Sequence, residues 1–109
     1  MKCTARVEAG VCGFTTTVSA DSPDDQFVRL NIETDCQTIA ALAEALKGKQ
    51  IDGYAEIGAG FDGVVMSTVR AHLSGCCAGC AVPVGIFKSV QVAARVALPK
   101  DIAIRMARG

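Results

Sequence analysis

The sequence predicts an α+β fold, an antiparallel sheet of three to four strands with helices packed on one face. Three observations carry this. Residues 2–33 contain three runs that alternate apolar and polar residues, separated by short turns. From Thr34 to Pro99 the apolar spacing becomes helical, broken by glycines. Residues 102–107 then alternate again. A period of two marks half-buried strands and a period near 3.6 marks amphipathic helices.

The elements follow in order. Cys3, Ala5, Val7 and Ala9 share one face of a strand over 2–9. Gly10-Val11-Cys12-Gly13 turns the chain into a β-branched second strand over 14–20. The polar turn Asp21–Asp25 leads to a third, where Val28, Leu30 and Ile32 alternate with Arg29, Asn31 and Glu33. Connections this short make an antiparallel meander. Thr34 and Gln37 fit a capping box, Ile39, Leu42, Ala43 and Leu46 follow at helical spacing, and Gly48 ends that helix. Residues 50–63 are broken by Gly53, Gly58, Gly60 and Gly63, so any helix there is short. Asp62 is placed to cap a helix through Val64, Val65, Val69 and Leu73. Pro83 suits the start of the next helix. Its stripe runs through Ile86, Phe87, Val90, Ala94 and Ala97, and Pro99 is expected to end it. Ile102, Ile104 and Met106 then form a last strand. The 109 residues are read as a single domain, 1–109.

Composition narrows the function. Half the residues are hydrophobic, enough for a core and too many for a disordered chain. Eleven basic residues balance eleven acidic ones, and there is one Tyr, four Phe and no Trp. That leaves no basic footprint and few stacking platforms for nucleic acid. No uninterrupted apolar run approaches the ~18–20 residues of a membrane span. The alternating, polar N-terminus lacks a signal core, so a cytoplasmic location is expected. No Ser-His-Asp set, paired carboxylates or phosphate loop stands out. Gly58–Gly63 lacks the Gly-Lys-Ser/Thr that a phosphate loop needs.

Six cysteines, at 3, 12, 36, 76, 77 and 80, are the distinguishing feature. In a reducing compartment, clustered thiols point to metal or redox chemistry rather than disulfides. The meander brings two of them together. Cys12 lies in the turn between strands one and two, and Cys36 lies just past strand three, which returns to the same edge. Cys3 begins the far end of its strand, roughly 30 Å from Cys12 at ~3.3 Å per residue, and is read as a small buried residue. Cys77-Ala78-Gly79-Cys80 is a C-x-x-C whose spacing lets two thiolates hold one centre, with Gly79 removing a side chain from the turn. Cys76 is able to take the place of Cys77. Cys36 and Cys80 sit near helix N-termini, where N–H groups favour thiolate. His72, the only histidine, is four residues before Cys76 and is read as a surface or packing residue. The expected ligand set is Cys12, Cys36, Cys77 and Cys80.

The segment Cys77-Ala-Gly-Cys80, Lys88 and Pro99-Lys-Asp-Ile-Ala-Ile resembles the C-terminal domain of NifU-type iron–sulfur scaffold proteins. That resemblance covers about thirty residues and implies Cys77 and Cys80 as cluster ligands, often shared across a homodimer. The chain as a whole looks similar to a small uncharacterised family of anaerobic prokaryotes. The segments carrying this are Ala-Gly-Val-Cys12-Gly-Phe-Thr-Thr-Thr, Thr-Asp-Cys36, Cys80-Ala-Val-Pro-Val and Leu98-Pro-Lys-Asp.

The expected function is a cysteine-ligated iron–sulfur protein carrying a 4Fe–4S cluster, acting in cluster carriage or electron transfer. Its partner would be a redox or cluster-acceptor protein, not nucleic acid or a membrane, and it is more a carrier than an enzyme. One alternative is a structural zinc domain on the same four thiolates, although zinc sites usually pair two C-x-x-C knuckles and here Cys12 and Cys36 stand alone. The other is a thiol or persulfide carrier using the C-x-x-C.

Overall fold

Strand pairing sets the frame of the protein, described by a computed structural model over residues 1–109. β1 (Lys2–Glu8), β2 (Thr15–Asp21) and β3 (Phe27–Thr34) form the meander, and a two-residue β4 (Ile51–Asp52) pairs with the start of β3. All pairings are antiparallel, in the spatial order β1-β2-β3-β4. The register aligns Cys3, Ala20 and Leu30 in one row, Ala5, Val18 and Ile32 in the next, and Val7, Thr16 and Thr34 in the third.

These rows form the core face, with Val18, Ala20, Val28 and Leu30 buried. On the other face Lys2, Thr4, Arg6, Glu8, Arg29, Asn31 and Glu33 are exposed. The helices α1 (Gln37–Leu46), α2 (Gly53–Ala59), α3 (Val64–His72) and α4 (Val82–Ala93) follow the meander, with β4 between the first two. α1 packs on β3 and α4 on β1 and β2, with α3 against both helices. Ile39, Leu42, Leu46, Val65, Ile86 and Val90 close one hydrophobic core over the sheet. The α+β fold read from periodicity is the fold observed.

Four local expectations are corrected. The Thr34–Gln37 capping box does not form, because Cys36 is the N-cap and Gln37 the first helical residue. Thr34 Oγ1 instead accepts the Cys36 N–H at 3.1 Å and lies 2.7 Å from Thr16 Oγ1. Asp62 does not cap α3 but pairs with Arg70 at 3.5 Å. The cap comes from Glu56 of α2, a buried carboxylate that accepts the N–H groups of Val64 and Val65 at 2.9 and 2.6 Å.

α4 stops at Ala93, well before Pro99. Arg95 takes a left-handed conformation, φ +63°, and its Nε donates to Asp25 at 3.0 Å. The last strand is also absent. Residues 99–109 have no regular structure and are exposed, and the fourth strand is Ile51–Asp52. Ile102, Ile104 and Met106 have the strand period but no neighbour to pair with.

The stretch Gly75–Ala93 is apolar enough by composition to cross a bilayer. It is not one helix, because Cys80 is extended between a 3₁₀ turn (Gly75–Gly79) and α4. The twelve residues of α4 rise about 18 Å against the ~30 Å hydrocarbon thickness, and much of the helix is buried in the core.

Candidate metal centre

The third row of the sheet, Val7-Thr16-Thr34, ends beside a small cavity lined by four cysteines. Cys12, Cys36, Cys77 and Cys80 all border it, with Ala9, Phe14, Thr16, Thr38, Ile39 and Val82 completing the wall. The four arrive from three separate local structures.

Cys12 rides on the β1–β2 turn. Gly13 N–H donates to Gly10 C=O at 2.9 Å, and Ala9 N–H to Phe14 C=O at 3.1 Å. The positive φ angles of Gly10 (+86°) and Gly13 (+74°) are needed to close so short a loop. Cys36 ends the β3 connection as N-cap of α1, held by the Thr34 hydroxyl. Cys77 and Cys80 bracket the end of the 3₁₀ turn, with Cys80 N–H donating to Cys77 C=O at 3.1 Å. Gly75, at φ +60°, supplies the left-handed entry to that turn.

Backbone N–H groups lie beside two of the cysteines. Val82 N–H, at the start of α4, donates to Cys80 Sγ at 3.5 Å. No side chain caps the N-terminus of α1. Its first N–H groups therefore leave a partial positive charge next to Cys36. The surrounding wall of Ala9, Phe14, Ile39 and Val82 is apolar, so charge inside is weakly screened.

The remaining candidates fall elsewhere. Cys3 pairs with Ala20 in the far row of the sheet. Cys76 is exposed and does not border the cavity, whereas the half-buried Cys77 does. His72 is exposed on α3, with its Nδ1 2.9 Å from Thr68 C=O. The expected role of Gly79 is corrected, because a Cβ there would meet nothing within 4 Å and its φ is ordinary. Gly75 is the conformationally demanding glycine of the loop.

Sequence reasoning passed over Thr16 and Thr34. The run Thr15–Thr17 reads as β-propensity, yet Thr16 borders the cavity and bonds to the hydroxyl that holds Cys36. The only signal available was the register, which places Thr16 directly opposite Thr34.

The four thiols surround the cavity without closing on it. No three His, Cys, Asp or Glu side chains stand in ligating array. The cavity they border is about 40 Å³, room for an ion or a few waters. Soft thiolate donors suit zinc and iron–sulfur clusters. A cluster would need the Cys12 turn to swing outward, and that turn lies at the surface.

The profile of a family of unknown function, DUF6951, matches residues 3–106. The chain belongs to that family. No curated protein and no solved structure matches it. The match runs from Cys3 to Met106 and so takes in all six cysteines of this DUF6951 chain, together with the sheet, the helices and most of the exposed tail.

Proposed function

We propose that this DUF6951 protein binds an iron–sulfur cluster of the 4Fe–4S type through Cys12, Cys36, Cys77 and Cys80. It would act in cluster carriage or electron transfer with a redox or cluster-acceptor protein. The observation that supports this reading is the single cavity bordered by those four cysteines, reached from three separate segments of chain. A bound cluster would supply one-electron chemistry or cargo. The chain's own residues would ligate it, direct the Val82 N–H to a ligand sulfur, and exclude water with Phe14, Ile39 and Val82. The resemblance of Cys77–Pro99 to NifU-type scaffold domains adds support, although the strand that follows the proline in that family is not formed here.

One observation favours a second reading. The cavity is small, about 40 Å³, so a single zinc on the four thiolates needs less rearrangement than a cluster. Anaerobic purification followed by iron, sulfide and zinc analysis separates the two. A cluster gives brown protein with equal iron and sulfide. Stoichiometric zinc in colourless protein would refute the cluster and keep the ligand set. Protein with neither metal, and no uptake on reconstitution, would refute both.

A further inference from the structure

The strand that the sequence expects and the monomer lacks has a vacant place waiting on the sheet. β4 pairs only with Phe27 and Val28, so the edge of β3 beyond them has no strand neighbour. A groove of about 420 Å³ runs along that edge, floored by Leu30–Thr34 and walled by α1. The wall opposite the strand presents Ala40 and Ala43, small side chains that leave room. In the C-terminal tail, Leu98, Ile102, Ile104 and Met106 are 87, 57, 73 and 91 % exposed. No tail residue lines the groove of its own chain.

We propose that residues 100–108 of a second copy of this chain dock as an added strand in the groove between β3 and α1, reciprocally in a two-fold dimer. Pattern and charge select this occupant. The groove carries Glu33, Glu44 and Lys47, a net negative charge. The tail carries Lys100, Arg105 and Arg108 against Asp101, a net positive charge. A parallel alignment satisfies both rows at once. Ile102, Ile104 and Met106 fall beside Leu30, Ile32 and Thr34 on the helix-facing side. On the open side Asp101 falls beside Arg29, and Arg105 beside Glu33. Main-chain hydrogen bonds to the free edge supply affinity, and the alternating side chains supply selectivity.

The area is sufficient. Covering Ile102, Ile104 and Met106 together with the main chain of the nine docked residues removes on the order of 300 Å² per tail from water, and the groove surface about as much again. The reciprocal exchange thus reaches roughly 1,200 Å², the lower bound of stable interfaces. Nothing in this requires the metal centre, which lies at the other cavity.

Sedimentation velocity of the full chain across the micromolar range tests the proposal. The expected result is a dimer that becomes a monomer when the chain is cut after Pro99. Arg105→Glu and Glu33→Arg should each weaken dimerisation at least tenfold, and the double exchange should restore it. All these positions are exposed, so the fold should survive, as circular dichroism will show. The dimer should also persist under a metal chelator, unlike one bridged by a shared centre. A monomeric full chain would overturn the proposal, including one whose tail amides are protected from exchange within the same molecule. A dimer unaffected by tail removal, or one dispersed by the chelator, would overturn it as well.

Discussion

Gly85 meets Val7 so closely that a Cβ on Gly85 would lie 2.6 Å from Val7 Cγ2. Helix α4 therefore rests on β1 with only the Val7 side chain between them. The contact is one turn beyond Cys80, and it fixes how near the C-x-x-C comes to the Cys12 turn. Gly85→Ala should push the helix off the strand. Overpacking costs about 1–3 kcal/mol, and the better helix propensity of alanine returns up to ~1 kcal/mol. A net loss of about 1–2 kcal/mol is expected in urea unfolding, with weaker metal retention.

Serine substitution at Cys12, Cys36, Cys77 or Cys80 should each reduce bound metal, since a hydroxyl is a poor replacement for thiolate. Cys76→Ser and Cys3→Ser should retain it, because Cys76 is exposed away from the cavity and Cys3 pairs with Ala20 at the far row. Metal analysis of the purified variants checks this. Loss of metal from Cys3→Ser with retention by Cys12→Ser would overturn the site.

Thr34→Val keeps the shape of the side chain and removes two hydrogen bonds, to Thr16 Oγ1 and from Cys36 N–H. Residues that orient a ligand typically contribute 10–100-fold to metal affinity. Competition with a chromophoric chelator should show a loss of about tenfold with an unchanged circular dichroism spectrum.

Glu56 holds the start of α3 from a buried position, through Val64 and Val65. Glu56→Ala leaves both donors without a partner and should cost about 2–3 kcal/mol. Glu56→Gln keeps one good acceptor and should cost roughly half as much. Chemical denaturation of both variants measures the difference.

Two aspartates, Asp24 and Asp52, give the stability an acid limb. Asp24 is held below its ordinary value of 3.8, chiefly by the Phe27 N–H and then by the Gln26 N–H. Asp52 is lowered chiefly by the Ala55 N–H, then by the Gln26 side chain, with Tyr54 N–H adding less. Because the folded values are depressed, their contribution is complete above the ordinary value and fades as pH falls through the folded ones. Stability should therefore decline below about pH 4. Replacing both residues by asparagine should flatten that limb in urea midpoints measured against pH.

The meander was legible because Val7, Val18 and Leu30 stand in uninterrupted alternation, and a period of two admits only one face toward the core. The meeting of Cys12 with Cys36 followed from the same topology. Residues 50–63 were not legible because their order comes from tertiary bonds. Asp52 caps a helix opened by a glycine, and Glu56 reaches eight residues along the chain to accept the Val64 N–H. Arg95 ended α4 early by adopting a conformation no sequence rule assigns to arginine. The tail has the strand period, but pairing also needs an edge, and the chain's own tail does not reach one.

Val11 is entirely exposed at the tip of the turn that carries Cys12, while Cys36, Cys77 and Cys80 are partly buried against the core. The four sulfurs are thus unequally mounted, three on a fixed base and one on a handle. A protein that gripped the apolar tip at Val11 would move Cys12 alone. A centre of the proposed kind would then be freed by opening one corner, with the other three ligands left in place.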